Sequence, residues 1–137
     1  MRRVAQNKTL KIDAGADYFF CVRLLDLGGD PIGLTGCSAR LMLKREYDSS
    51  PPLVSLTSGE GGGITFERYG DDSAETDACC VHLTAEQTGM LVDYTVKDTE
   101  GEVQPGEGYY DLEIEDADGR VVRAVGGMWI AAVEVTR

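Results

Sequence analysis

The sequence is poor in basic charge and in histidine and has no long apolar run, and each shortage closes off a class of function. Against 24 Asp and Glu stand only 13 Lys and Arg, leaving a formal net charge of −11. Nucleic-acid backbones and anionic membranes are met by clustered Lys and Arg. Here the basic residues gather only at Arg2-Arg3 and at Arg40 with Lys44-Arg45, so neither partner is expected. Nowhere do about 18 apolar residues follow one another, and no apolar run of signal-peptide length follows Arg2-Arg3; neither a membrane span nor a signal peptide is expected.

With one histidine, any Ser-His-Asp or Cys-His chemistry must pass through His82, and no Gly-x-Ser-x-Gly elbow accompanies it. Cys80 and His82 share one strand face, yet nothing at Cys-x2-Cys spacing completes a four-ligand zinc set. The run "GEGGGI" lacks the Lys-Ser/Thr of a phosphate loop and precedes a strand instead of a helix. "EDADG" resembles the middle of a calcium loop, but setting Gly119 at the glycine position puts Ile114 and Val125 where the first and last ligands belong. Asp111, Glu113 and Glu115 project from one strand face about 7 Å apart. Glycosidase carboxylates instead flank a bond from opposite sides in a pKa-raising cleft, so this stripe reads as a solvated outer face. No catalytic residue, metal or cofactor is expected, and the chain is not expected to be an enzyme.

What is present is strand-forming sequence. At 137 residues, 42% hydrophobic and 27% charged, the chain fits one globular domain with a core of its own. Alternation of period two recurs between Gly, Pro and Asp punctuation. Tyr18, Phe20, Val22 and Leu24 share a face, with Arg23 on the wetter side. Ala39, Leu41 and Leu43 point inward opposite Arg40, Met42 and Lys44. "LVSL" after Pro51-Pro52 reads as a short edge strand; Ile64 and Phe66 form another face. Cys79, Val81 and Leu83 point inward, leaving Cys80 and His82 outward. Tyr110, Leu112 and Ile114 resume the pattern, Asp118-Gly119 supplies a tight hairpin turn, and Trp129, Ala131, Val133 and Val135 share the last face. Trp129 reads as core.

Thr84 followed by Gln87 matches the capping box and predicts one short helical turn near 84–91. Residues 89–108 read as a loop or hairpin insertion. Seven or eight short strands with this scrap of helix predict an all-β, immunoglobulin-like two-sheet β-sandwich over 1–137. Of the four cysteines, Cys21, Cys37, Cys79 and Cys80, the adjacent pair must point to opposite faces. The set reads as small buried hydrophobes plus one exposed thiol, with disulfides closed later in an oxidising medium as the alternative.

The run "DLGGDPIGLTG" at 26–36, the strand Tyr110-Asp-Leu-Glu113, the Asp-Gly hairpin and the terminal Val-Thr-Arg resemble, in order and spacing, the small immunoglobulin-like domain of phage upper baseplate proteins and of related short virion proteins. The resemblance covers most of the chain, though Gly33 stands where the family often has Asp and the path over 89–108 is longer. It implies the domain used on its own as a virion structural protein of the tail, baseplate, neck or capsid surface, synthesised in the host cytoplasm. Its partners would be other virion proteins, in a homo-oligomer or ring. Tyr94, Tyr109, Met128, Cys80 and His82 are the candidate interface residues. The alternative function is a carbohydrate-binding, host-attachment sandwich, for which Tyr47, Tyr69, Tyr94 and Tyr109 are the available aromatics.

Overall fold

The structure, a computed structural model, describes residues 6–48, 51–70 and 76–133. Its order is β1 (Gln6–Asn7), β2 (Leu10–Ala14), β3 (Tyr18–Val22), β4 (Ser38–Lys44), β5 (Val54–Thr57), β6 (Ile64–Glu67), β7 (Ala78–Leu83), α1 (Ala85–Gly89), β8 (Gly106–Glu115) and β9 (Val121–Val133). The strands form where side chains alternate between oil and water. In β4, Ala39, Leu41 and Leu43 are buried while Ser38 and Arg40 are exposed. In β8, Tyr110, Leu112 and Ile114 are buried along with Gly106 and Gly108.

Two sheets share these inward faces. The larger runs β9-β8-β4-β5, with β1 and β2 laid one after the other, in parallel, along the outer edge of β9. The smaller is β3-β7-β6. This is the G-F-C-C′ and B-E-D connectivity of an immunoglobulin-like sandwich. Its core unites Leu10, Leu41, Leu43, Leu112, Ile114 and Trp129 of one sheet with Phe20, Ile64, Val81 and Leu83 of the other. Each fully buried aliphatic side chain is worth about 1.5–3 kcal/mol.

Trp129 is wholly buried and donates its indole N–H to the Lys44 carbonyl at 3.1 Å. The glycines of β8 make room for it: a Cβ on Gly108 would stand 2.8 Å from the indole ring and collide with the Lys44 carbonyl. Beside it, Tyr110 donates its hydroxyl to Lys8 O at 2.6 Å, where the parallel edge passes from β1 to β2. Burial, with Tyr18 close by, pushes the Tyr110 phenol up to about 12.

The predicted capping box is present at Thr84 and Gln87. Its helix is pinned from within by Thr88, whose Oγ1 accepts from Gly15 N at 2.9 Å and donates to Ala16 O at 2.8 Å. The excursion is narrower than 89–108, because Leu91 and Val92 are buried and β8 begins at Gly106. What protrudes is 93–105, a small hairpin with a Lys97–Val103 bridge.

Two expectations are corrected. The four cysteines are not all thiols: Cys21 of β3 and Cys80 of β7 are joined by a disulfide across 59 residues of chain, while Cys37 and Cys79 are free. The two sulfurs meet because the antiparallel register places Cys21 directly opposite Cys80. The hairpin at 116–120 is organised by Asp116, not by the Asp118-Gly119 pair alone. Asp116 O accepts from Gly119 N, and its carboxylate accepts from Asp118 N and Arg120 N, both at 2.9 Å. Gly119 follows at φ 87°, so this is a three-residue loop with a glycine bulge instead of a two-residue turn. The same arrangement recurs at Asp26 with Gly29 and at Asp98 with Gly101. Asp-x-x-Gly-x is thus a turn unit used three times. In "EDADG" it is Asp116 Oδ1 that accepts from the two backbone amides of this turn.

Val135, the terminal Val-Thr-Arg, Arg2-Arg3 and residues 71–75 of the polar tip lie outside the described residues.

Candidate functional site

The five candidate interface residues fall into three places. Tyr109 of β8 and Met128 of β9 sit directly opposite each other on the outer face of the larger sheet. Cys80 and His82 share the outer face of the smaller sheet. Tyr94 stands apart on the 93–105 excursion, 44% exposed.

The Tyr109–Met128 pair is the centre of a longer apolar strip. Ile130 lies two residues beyond Met128 on the same side of β9, and the two are 37% and 39% exposed. Tyr47, 77% exposed in the turn after β4, sets its ring perpendicular to that of Tyr109, with centroids 5.1 Å apart. Charges border this strip. Lys44 is opposite Tyr109 in the register and donates its Nζ to Asp48 O at 2.9 Å. Arg40 Nε donates to Glu113 at 2.9 Å. The expected acidic stripe Asp111, Glu113 and Glu115 does lie on this outer face. Partial burial, with Glu113 beside it, pushes the Asp111 carboxyl above the ordinary carboxylate range; Arg123, Lys44 and Arg40 offset part of that shift.

On the smaller sheet, His82 is opposite Phe19, and their rings stack with centroids 4.2 Å apart and planes 12° from parallel. Phe19 is nevertheless 67% exposed. His82 Nε2 lies 3.0 Å from Asp17 Oδ1, which also accepts from Ala85 N. Two residues along the strands, on the same face, is the Cys21–Cys80 disulfide. Phe19, His82 and the disulfide therefore make one continuous strip. Cys80 belongs to it as half of a covalent clip, not as a free thiol. Cys79, facing inward, is held as a thiol by burial, which with Cys37 nearby pushes it up to about 12, far from the thiolate reactivity of catalytic cysteines.

Sequence reading missed Phe19 and Ile130, and it named Tyr47 only as an aromatic available to a sugar, not as an interface residue. Phe19 and Ile130 were accessible from alternation, since each is a large apolar residue at an outward strand position, which signals a covered surface. Tyr47 had no such signal, because its place beside Tyr109 depends on how the turn after β4 folds back. The other tyrosines do not join a platform: Tyr69 carries the Arg23 guanidinium over its ring at 3.9 Å.

Among the described residues, no three His, Cys, Asp or Glu side chains converge as a metal set, and no helix is long and apolar enough to cross a membrane. The sequence matches no protein-family model and no curated protein.

Proposed function

We propose that this protein is a structural component of a bacteriophage virion, working by contact with neighbouring proteins of the particle and not by catalysis. The observation that carries this reading is the pair of exposed apolar strips on opposite faces of one sandwich: Tyr47, Tyr109, Met128 and Ile130 on one side, Phe19, His82 and the Cys21–Cys80 disulfide on the other. Exposed aromatic and apolar groups of this kind are what interfaces cover. Two different faces on opposite sides suit head-to-tail contacts, which close into rings when the rotation allows. The order of the sequence motifs, similar to that of the virion immunoglobulin-like domains, supports the same reading, as does a block tied by a disulfide between strands.

The test is quantitative mass spectrometry of purified phage particles, counting this chain against the major capsid protein. A few to a few tens of copies would assign it to tail, baseplate or neck, and hundreds to the capsid surface. Absence from the particle refutes the proposal. Glycan attachment is the second reading, favoured by the pairing of Tyr47 with Tyr109 in one groove. It is weakened by one face of the Tyr69 ring being taken by Arg23 and by Tyr94 standing alone.

A further inference from the structure

The smaller sheet, in the order β3-β7-β6, ends on β3, whose far side meets no other strand among the described residues. We propose that this open edge pairs, antiparallel and around a two-fold axis at Phe20, with β3 of a second copy of the chain, so that two small sheets join into one. The inference goes beyond the virion reading and does not depend on it: it names how two copies meet, whatever particle they belong to.

Three observations lead there. The first is the backbone pattern of the edge. His82 donates its N–H to Gly63 O, on the β6 side, at 2.8 Å, so the Phe19–His82 pair exchanges no ladder bonds. Cys21 and Cys80 stand two residues on, in the same phase, with Cα atoms 4.0 Å apart, the close approach of such a non-bonded pair. Phe19 and Cys21 therefore turn their N–H and C=O groups away from β7. Among the described residues nothing meets those groups, and both residues are exposed. In a pairing centred on Phe20, Phe19 of each copy faces Cys21 of the other, and every free donor of one edge finds a free acceptor on its mate. A two-fold contact requires this self-complementarity.

The second observation is that the side chains match in the same register. Asp17, Phe19, Cys21 and Arg23 follow one another on the outer face, and centring on Phe20 sets Asp17 of each copy opposite Arg23 of the other, a cross-strand pair of opposite charge. Arg23 has room for it. Its Nη2 bond to Asp77 uses one of five N–H donors, and its side chain is 27% exposed. Sliding the strands by two residues either way loses this match.

The third is that β3 lacks a guard. Exposed edges are commonly blunted by charge, proline or irregular turns. β2 carries Lys11 and Asp13, and β6 ends on Glu67. β5 follows Pro51-Pro52 and gives its Thr57 amide to Gly62 O. β3 reads Tyr-Phe-Phe-Cys-Val, strand-forming and uncharged throughout. The net charge of −11 opposes self-association, but at physiological salt charges more than about 8 Å apart are largely screened. Because the contact uses an edge, both apolar strips stay on the outside for further neighbours.

The experiment combines sedimentation equilibrium with amide–water exchange by NMR on the full chain, from about 20 μM to about 1 mM at physiological salt. A monomer–dimer equilibrium with Kd of about 0.1 mM is expected for a contact this small. Exchange of the Phe19 and Cys21 amides should slow about fourfold across that range, with amides on the β5 and β6 edges unchanged. Phe19→Pro removes a donor that faces only outward and should weaken the dimer about tenfold. Asp17→Lys sets like charge against Arg23 and should weaken it about fivefold. A chain still monomeric at the highest concentration, exchange slowed at another edge instead, or a dimer indifferent to both substitutions in folded variants overturns the proposal. If neither variant folds, the wild-type exchange decides. Absence of the chain from phage particles leaves a dimer in solution standing, and a monomer leaves the particle count standing.

Discussion

Replacing Cys21 and Cys80 together by serine removes a covalent clip from the smaller sheet while leaving every core side chain in place, since both cysteines lie on its outer face. The bond closes a loop of 59 residues. By the chain-entropy relation, releasing a loop of that length returns about 14 cal/mol/K to the unfolded state, or about 4 kcal/mol at 25 °C. For 137 residues, an unfolding entropy of about 2.1 cal/mol/K per residue converts this into a fall in Tm of about 15 °C. Calorimetry of the oxidised wild type, the reduced wild type and the double serine variant should show the last two melting together, well below the first. Peptide mapping under non-reducing conditions should recover Cys21 linked to Cys80, with Cys37 and Cys79 alkylated as free thiols. Four free thiols in denatured, unreduced protein, or a double variant melting with the oxidised wild type, would refute the reasoning.

The other expectations concern single side chains. Gly108→Ala places a methyl against the Trp129 indole and the Lys44 carbonyl, and urea denaturation should register a loss of at least about 2 kcal/mol. Thr88→Val keeps the shape but orphans the Gly15 amide, which should cost about 1–3 kcal/mol in the same assay. Asp116→Ala removes the acceptor of two backbone N–H groups in an exposed turn and should cost about 1 kcal/mol, with Gly119 still able to adopt its positive φ. For Asp111, the folded carboxyl titrates above its unfolded value. The folded state therefore favours the protonated form, and that contribution is full below the unfolded pKa and lost as pH rises through the folded one. Asp111→Asn should raise Tm at pH 7 and leave it unchanged near pH 3; a variant less stable than wild type at pH 7 would contradict the assigned cause.

Which face turns inward was readable from sequence in β3, β4, β6, β7, β8 and the second half of β9, because alternation is a local property: successive residues of a regular strand point opposite ways. Leu41, Leu112 and Trp129 could be placed in the core on that ground alone, and the capping box at Thr84 and Gln87 needs only four residues to be recognised. The Asp-x-x-Gly-x turns were equally local, and were overlooked because the aspartate that organises each one stands at its start, three residues before the glycine. Everything that joins one strand to another belonged to the tertiary structure. Cys21 meets Cys80, Tyr109 meets Met128, and Tyr47 leans on Tyr109 only after the registers of β3 with β7 and of β8 with its neighbours are fixed. Those registers come from packing two sheets over one core, where a slip of a single residue would exchange inside for outside, and no window of sequence contains both partners.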